Sequence, residues 1–235
     1  MKVLILNSGM GSRMGEETKV HPKCMTAISS GETILSRQLS LLCKENLHDV
    51  IMTTGYQQEL LQQYCKSLDL PLNYRFVFNR YYSTTNYIYS IYCAREELMD
   101  DDIILMHGDL VFERSVLAGI ISFPHSCVKI SSSCPLPEKD FKAVLKDGMV
   151  KKIGVEFFEP GAVEAQAFYK LKQKDWLVWL DRICEFCESG KRNCYAENAF
   201  NEISEQCRIY GYDAKDALCS EIDNNEDLER IKKLL

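Results

Sequence analysis

The chain has 235 residues, of which 46% are apolar and 26% charged, a composition that excludes a disordered tail, a collagen-like rod and a disulfide-stapled miniprotein. The formal net charge of −6 comes without any basic stripe, which excludes duplex nucleic acid as the main partner because phosphate binding requires clustered Lys and Arg. The longest uncharged runs, Tyr81 to Ala94 and Ser115 to Val128, reach 14 residues, short of the roughly 18 to 20 of a membrane helix, so no membrane span is expected.

Met1 to Leu6 is too short for the core of a secretory signal, and a cytoplasmic protein is expected. Val3-Leu4-Ile5-Leu6 then reads as a buried parallel strand that stops at Asn7-Ser8-Gly9. Thr33 to Cys43 carries apolar residues on one helical face, and Asp49 to Gly55 is the next strand. Gln57 to Leu68 reads as helix, Leu72 to Phe78 as strand, Tyr87 to Leu98 as helix and Ile103 to Met106 as strand. This alternation indicates βαβ units. After about Ser126 the pattern changes. Cys127 to Ser132, Phe141 to Leu145, Val150 to Glu156 and Gln166 to Leu171 read as strands, the second and third joined at the turn dipeptide Asp147-Gly148. Helices over Lys174 to Glu188 and Ala196 to Gln206, a strand over Arg208 to Tyr212 and a final helix from Asn224 complete the chain, with Asn224 or Asn225 as its cap.

The expected fold is α/β: a Rossmann-like, mostly parallel mixed sheet with helices on both faces and a small antiparallel β extension. One domain is expected over 1–235, with a nucleotide-binding half (1–125), an acceptor half (126–220) and a last segment of metal ligands and helix (221–235). The eleven cysteines are irregularly spaced and are expected to be reduced packing residues. Cys184-x-x-Cys187, with Cys194 nearby, lies on an apolar-periodic helix and lacks a second pair, so no zinc site is expected.

Three elements carry chemistry. The first is the loop Asn7-Ser8-Gly9-Met10-Gly11-Ser12-Arg13. Its glycines allow a sharp turn that presents amide protons to phosphate oxygens, and Arg13 adds a bidentate donor. Alone, the loop is equally well a simple tight turn. Beyond it, Pro22 stiffens the chain and can aim Lys23 back at the same phosphates. The second element is His107-Gly108-Asp109, at the carboxyl end of a buried strand, where open α/β sheets bind ligands and where a carboxylate suits a hard cation. The third is Glu221-Ile222-Asp223, whose alternation puts both carboxylates on one side.

The order of strand, G-x-G-x-R, a further segment and Pro-Lys resembles the signature of the nucleotidyltransferases that activate sugar phosphates and phosphocholine. Thr54-Gly55-Tyr56 is similar to that family's Gly-Tyr turn. Phe78-Asn79-x-Tyr81-Tyr82-x-x-x-Asn86-x-x-Tyr89-Ser90 is similar to the segment that reads the base in its phosphocholine branch. The resemblance assigns Gly55, Asn86 and Ser90 to the nucleotide, although Asn86 and Ser90 serve equally as a helix cap and a polar helix face. It also implies Mg²⁺ on Asp109 and Asp223 with Glu221, and in-line attack of an acceptor oxygen on the α-phosphorus of CTP, with Arg13 and Lys23 neutralising charge. An acceptor that is already an anion needs no general base.

In phosphocholine relatives the quaternary ammonium is held by aromatic rings and a carboxylate. Here Asp140 falls where an aromatic is expected, an exchange that suits a primary ammonium with three N–H donors. Tyr195, Glu197 and Asn198 match a Tyr-x-acidic-Asn run of the choline branch, and Lys139 and Lys142 offer charge to a dianion. The same cluster also fits a solvated hairpin edge. The acceptor expected first is 2-aminoethylphosphonate, then phosphoethanolamine or phosphocholine. Sugar 1-phosphates and a catalytically silent nucleotide-binding subunit are the alternatives, the last disfavoured by the complete charge set.

Overall fold

The apolar run near the start of the chain becomes an interior strand, β1 (Lys2–Asn7), of a nine-stranded sheet in a computed structural model that describes residues 1–235, Glu17 by its backbone alone. There follow α1 (Glu17–Val20), β2 (Ala27–Ser29), β3 (Glu32–Thr33), α2 (Ile34–Lys44), β4 (Asp49–Thr54), α3 (Gln58–Ser67), β5 (Asn73–Phe78) and α4 (Tyr87–Ala94). The middle of the chain forms β6 (Ile103–His107), β7 (Leu110–Phe112), α5 (Arg114–Ser122), β8 (Cys127–Ser131), β9 (Lys142–Lys146) and β10 (Met149–Gly154). The last elements are β11 (Ala162–Leu171), α6 (Gln173–Glu188), α7 (Ala196–Ile203), β12 (Tyr210–Asp213), β13 (Cys219–Glu221) and α8 (Asn225–Lys232).

The sheet runs β5-β4-β1-β6-β11-β8-β12-β10-β9, parallel through its first four strands. β11 enters antiparallel between β6 and β8, and its first residues also pair with β9. Strict alternation along β1 divides the core. Leu4 and Leu6 pack with α4, α6 and α7, including the fully buried Trp176 and Trp179, while Val3 and Ile5 face Leu35, Leu39, Leu61 and Val116 of α2, α3 and α5. Truncating either tryptophan to alanine costs about 3–5 kcal/mol, because cavity and transfer terms add.

Several differences from the sequence pattern have physical causes. β11 begins at Ala162, not near Gln166, because Glu164 and Gln166 are buried polar residues. Lys129 Nζ donates to Glu164 Oε2 at 2.7 Å and Gln166 Nε2 to Glu164 Oε1 at 2.7 Å, so a polar stretch can run inside the sheet. α5 lies mostly within the uncharged run that starts at Ser115, and buries Val116, Leu117 and Ile120. The short strands β7 and β13 pair antiparallel, with Glu221 opposite Leu110. The final helix does start after Asn224, whose Oδ1 accepts from the Glu226 and Asp227 amides at 2.8 and 3.0 Å. All eleven cysteines are free, and Cys187 donates its thiol to the Ile88 carbonyl from inside the core.

Candidate active site

The carboxyl ends of β1 and β6 open onto a cavity of about 390 Å³, lined by the glycine loop, the Pro22-Lys23 turn, α4, residues 139–141 and the Glu221–Asp223 segment. The chain brings these together by close backbone approach. Gly11 has φ 64°, and a β-carbon there would stand 2.9 Å from Lys23 Cβ, so glycine lets the loop lie directly on the lysine. Gly108 N donates to the Leu6 carbonyl at 3.1 Å, which ties the loop after β6 to the end of β1. The Ile222 amide donates to the Asp109 carbonyl at 3.1 Å, and Ile222 buries itself fully in a small cluster with Met14 and Leu228. That anchor delivers Glu221 and Asp223 to Asp109 from more than a hundred residues away in sequence.

Lys23 Nζ donates to Asp109 Oδ2 at 2.6 Å and to Asp223 Oδ1 at 2.8 Å, and Arg13 Nη1 donates to Asp223 Oδ2 at 2.8 Å. Burial works against the Lys23 charge, but the two carboxylates outweigh it and hold the ammonium above its ordinary value. Burial likewise pushes Asp109 up, and Lys23 and His107 more than reverse it. The cations and carboxylates expected from sequence therefore converge on one another.

Four buried polar atoms of cavity-lining residues have no hydrogen-bond partner within the protein: Asn7 Nδ2, Ser8 Oγ, His107 Nε2 and Asp109 Oδ1. Each such group costs on the order of 1–3 kcal/mol, so a site that keeps four of them is built for a polar ligand. The side-chain ligand atoms of His107, Asp109 and Glu221 also lie within 4.8 Å of one another. A carboxylate oxygen left free beside this group fits a hard divalent cation.

His107 escapes a sequence reading that looks for a general base. Its Nδ1 is 2.8 Å from Glu221 Oε1, and although burial opposes its charge, Glu221 pushes it up to about 9. Burial and Asp109 in turn push Glu221 above its ordinary value. The only signal in the sequence is its place two residues before Asp109, at the carboxyl end of β6. Tyr87, Phe141 and Tyr82 also line the cavity. Tyr195 lies 5.8 Å from Tyr87 and 5.2 Å from Phe141 between ring centroids, forming an aromatic corner.

Asn7, Ser8, Gly9, Gly11, Ser12, Arg13, Lys23, Asn86, Ser90, Asp109, Lys139, Asp140, Tyr195, Glu221 and Asp223 all line the cavity. Asn86 also caps α4, its Oδ1 accepting from the Tyr87 amide at 2.8 Å, and Ser90 Oγ accepts from Asn79 Nδ2 at 3.0 Å. Capping and lining coincide there. Met10, Gly55, Lys142, Glu197 and Asn198 lie outside the cavity wall. Met10 faces solvent, and Gly55 packs behind the wall against the Ser8 carbonyl and Tyr82. Lys142 is fully buried, donating to the Pro137 carbonyl at 2.6 Å with its ammonium 4.1 Å from the Phe158 ring centroid, because the segments on either side of the β9–β10 hairpin cover it. Asn198 Oδ1 accepts from the Tyr195 amide at 3.0 Å as part of the α7 cap. Glu197 is buried beneath Tyr87.

Residues 3–125 match the family model of the MobA-like NTP transferase domain. The chain is 29% identical over 181 residues to CMP-5'-(3-aminopropyl)phosphonate synthase of Streptomyces rubellomurinus, covering 74% of this chain and 28% of that protein. It is 25% identical over 160 residues to CTP:phosphoglutamine cytidylyltransferase of Campylobacter jejuni, 65% of this chain and 62% of the relative. The chain thus spans less than two thirds of the length of either relative. Choline-phosphate cytidylyltransferase of Streptococcus pneumoniae is 31% identical over 104 residues, 44% of this chain and 43% of that one. Among solved structures, CTP:phosphocholine cytidylyltransferase from Streptococcus pneumoniae superposes with a TM-score of 0.77 at 19% identity, covering 99% of this chain and 98% of that chain. The inositol-1-phosphate CTP transferase from T. maritima gives 0.81 at 20%, covering 99% and 94%. At such identities the structural likeness establishes the nucleotide-diphospho-sugar transferase type of fold.

Proposed function

The chain belongs to the MobA-like NTP transferase family, and we propose that it transfers CMP from CTP to a small amino-alkyl phosphonate or phosphate, 2-aminoethylphosphonate first among them. An acceptor oxygen attacks the α-phosphorus, the bond from that phosphorus to the bridging oxygen breaks, and pyrophosphate leaves with the electron pair. The single observation that carries this reading is the convergence of Lys23 and Arg13 with Asp109 and Asp223 at the mouth of β1 and β6. Such transfer needs charge neutralisation and positioning more than covalent help. Arg13 and the loop amides hold the β and γ phosphates, and Lys23 bridges the α-phosphate and the acceptor oxygen. Asp109 and Asp223, with Glu221 beside them, are the residues that would hold Mg²⁺, which supplies further neutralisation of the triphosphate.

Asp140 supports the amino-alkyl acceptor. It lines the cavity, and burial together with Asp223, Asp227 and Glu164 pushes its carboxyl above the ordinary value. A carboxylate facing other carboxylates gains most from a cationic ligand, and a primary ammonium can donate hydrogen bonds to it. The Streptomyces relative, a CMP-5'-(3-aminopropyl)phosphonate synthase, fits the same class. The aromatic corner of Tyr87, Tyr195 and Phe141 supports phosphocholine as the second reading.

Pyrophosphate release with CTP against 2-aminoethylphosphonate, phosphoethanolamine, phosphocholine and hexose 1-phosphates tests the proposal. Preference for the primary amines, lost in Asp140→Asn, is expected. Exclusive use of hexose 1-phosphates overturns it, and magnesium-dependent turnover with any acceptor excludes a silent nucleotide-binding subunit.

A further inference from the structure

Glu197 stands in a motif expected to meet the acceptor, yet only 1% of it is exposed and both its oxygens are taken by tyrosine hydroxyls. Tyr87 donates to Oε2, and Tyr169 donates to Oε1 at 2.7 Å. The three residues come from three elements. Tyr87 opens α4, Tyr169 lies in β11 opposite Leu105 of β6, and Glu197 occupies the first turn of α7. Tyr169 is fully buried and packs edge-on against Trp179 at 5.4 Å, so its hydroxyl is a fixed point of the core. The α7 amino end adds a favourable dipole for the carboxylate.

Of the three, Tyr87 alone lines the cavity. Its ring meets the His107 ring at 4.7 Å and 67°, and stands 5.8 Å from Tyr195. A ring held only by packing can tilt, whereas a hydroxyl donating to a buried carboxylate is held by a charge-assisted bond about twice as strong as a neutral one. Burial and the Glu197 charge push both hydroxyls far above their ordinary range, so both remain donors at neutral pH.

The geometry points to Glu197 as a positioning residue for acceptor selection: anchored to Tyr169 in the sheet, it clamps Tyr87, and the clamped ring, rather than Glu197 itself, forms the wall that meets the acceptor. This inference rests on assigning the side of the cavity bearing Tyr87, Tyr195 and Phe141 to the acceptor. It replaces direct ammonium binding by Glu197 with an action through one intervening ring.

The test uses Tyr87→Phe, which keeps the ring and deletes the donor, and Glu197→Gln, which keeps the shape and deletes the charge. Pyrophosphate release is measured with CTP and acceptor varied separately, using whichever acceptor of the panel the wild type prefers. Each variant is expected to raise the acceptor KM about tenfold while the CTP KM stays within about twofold. The double variant is expected to lose no more than the worse single one, since both act on the Tyr87–Glu197 bond, one deleting its donor and the other its charge. An unchanged acceptor KM in Tyr87→Phe, equal rises in both KM values, or additive losses in the double variant overturns the clamp. If Glu197→Gln does not fold, Tyr87→Phe carries the decision alone. A wild type that uses only hexose 1-phosphates overturns the amino-alkyl reading, and the KM for that sugar phosphate then tests the clamp in the same variants.

Discussion

The Lys23 ammonium lies 2.6 Å from the Asp109 carboxylate, so the cation expected at the phosphates and the acid expected at the metal are each other's partners within the protein. In the proposed reaction a triphosphate with a divalent ion would bring charges of both signs to this pair, and each protein group would exchange one partner for another of the same sign. Lys23→Ala removes the cation proposed to meet the reacting phosphate, takes the ammonium from Asp109 and leaves Asp223 with Arg13 alone. Turnover is expected to fall by about a hundredfold or more, in the range seen for deleting a preorganised charge-stabilising group. Lys23→Arg, with its longer planar head, is expected to recover only part of it. Steady-state pyrophosphate release measures both, and near-normal turnover in Lys23→Ala removes the assignment.

Chelation is expected to abolish turnover and added Mg²⁺ to restore it, because Asp109 Oδ1 is buried and has no partner within the protein. Asp109→Asn is expected to lower turnover by about a hundredfold or more at saturating Mg²⁺, since an amide cannot replace the anionic ligand. The decisive measurement is the Mg²⁺ titration of rate in wild type and variant. Full activity after exhaustive chelation contradicts a metal role for this carboxylate.

The parallel half of the fold is legible because its strands are continuous apolar runs, and the site is legible where chemistry follows strand ends, at Asn7 to Arg13 and at Asp109, and where Pro22 precedes Lys23 in the turn after α1. What sequence hides is long-range support. Nothing near Glu221 in sequence announces His107, 114 positions away along the chain, although the two are 2.8 Å apart. Lys142 looks like a surface cation of a charged hairpin, and only the folded loop shows it fully buried with its ammonium donating to a carbonyl. Glu197 shows the same limit, since residue type alone does not reveal whether a carboxylate faces a ligand or the back of a tyrosine.

Stability is expected to fall below about pH 4 partly through Asp102. This carboxylate accepts from Lys172 Nζ at 2.9 Å and from the Gln173 amide at 2.8 Å at the start of α6. Burial pushes its carboxyl up, but the ammonium and the amide outweigh burial and leave it below the ordinary 3.8. A depressed folded value means that the contribution is present above the unfolded value and disappears as pH falls through the folded one. Asp102→Asn is therefore expected to cost about 1 kcal/mol at pH 7 and close to nothing at pH 2. Urea unfolding at the two pH values measures this, and an equal cost at both contradicts the ion pair.

Gly55 stands behind the cavity wall, and a β-carbon there would come within 2.3 Å of the Ser8 carbonyl and 2.7 Å of Tyr82 Cβ. Neither neighbour is a free side-chain end. Ser8 begins the glycine loop, and Tyr82 lines the cavity beside it. Gly55→Ala must therefore displace backbone on the side proposed for the nucleotide, at a cost of about 1–3 kcal/mol, as overpacking does elsewhere. At roughly 2–4 °C per kcal/mol for a chain of this size, Tm is expected to drop by several degrees. The CTP KM is expected to rise with it, because the displaced atoms carry the loop. Gly9→Ala is the matching control for stability, since a β-carbon at Gly9 meets nothing within 4 Å. Thermal unfolding of the two variants side by side separates local crowding from a general intolerance of alanine. Equal Tm values would show that the wall behind Ser8 yields without cost, and the close approach at Gly55 would then have no part in holding the loop.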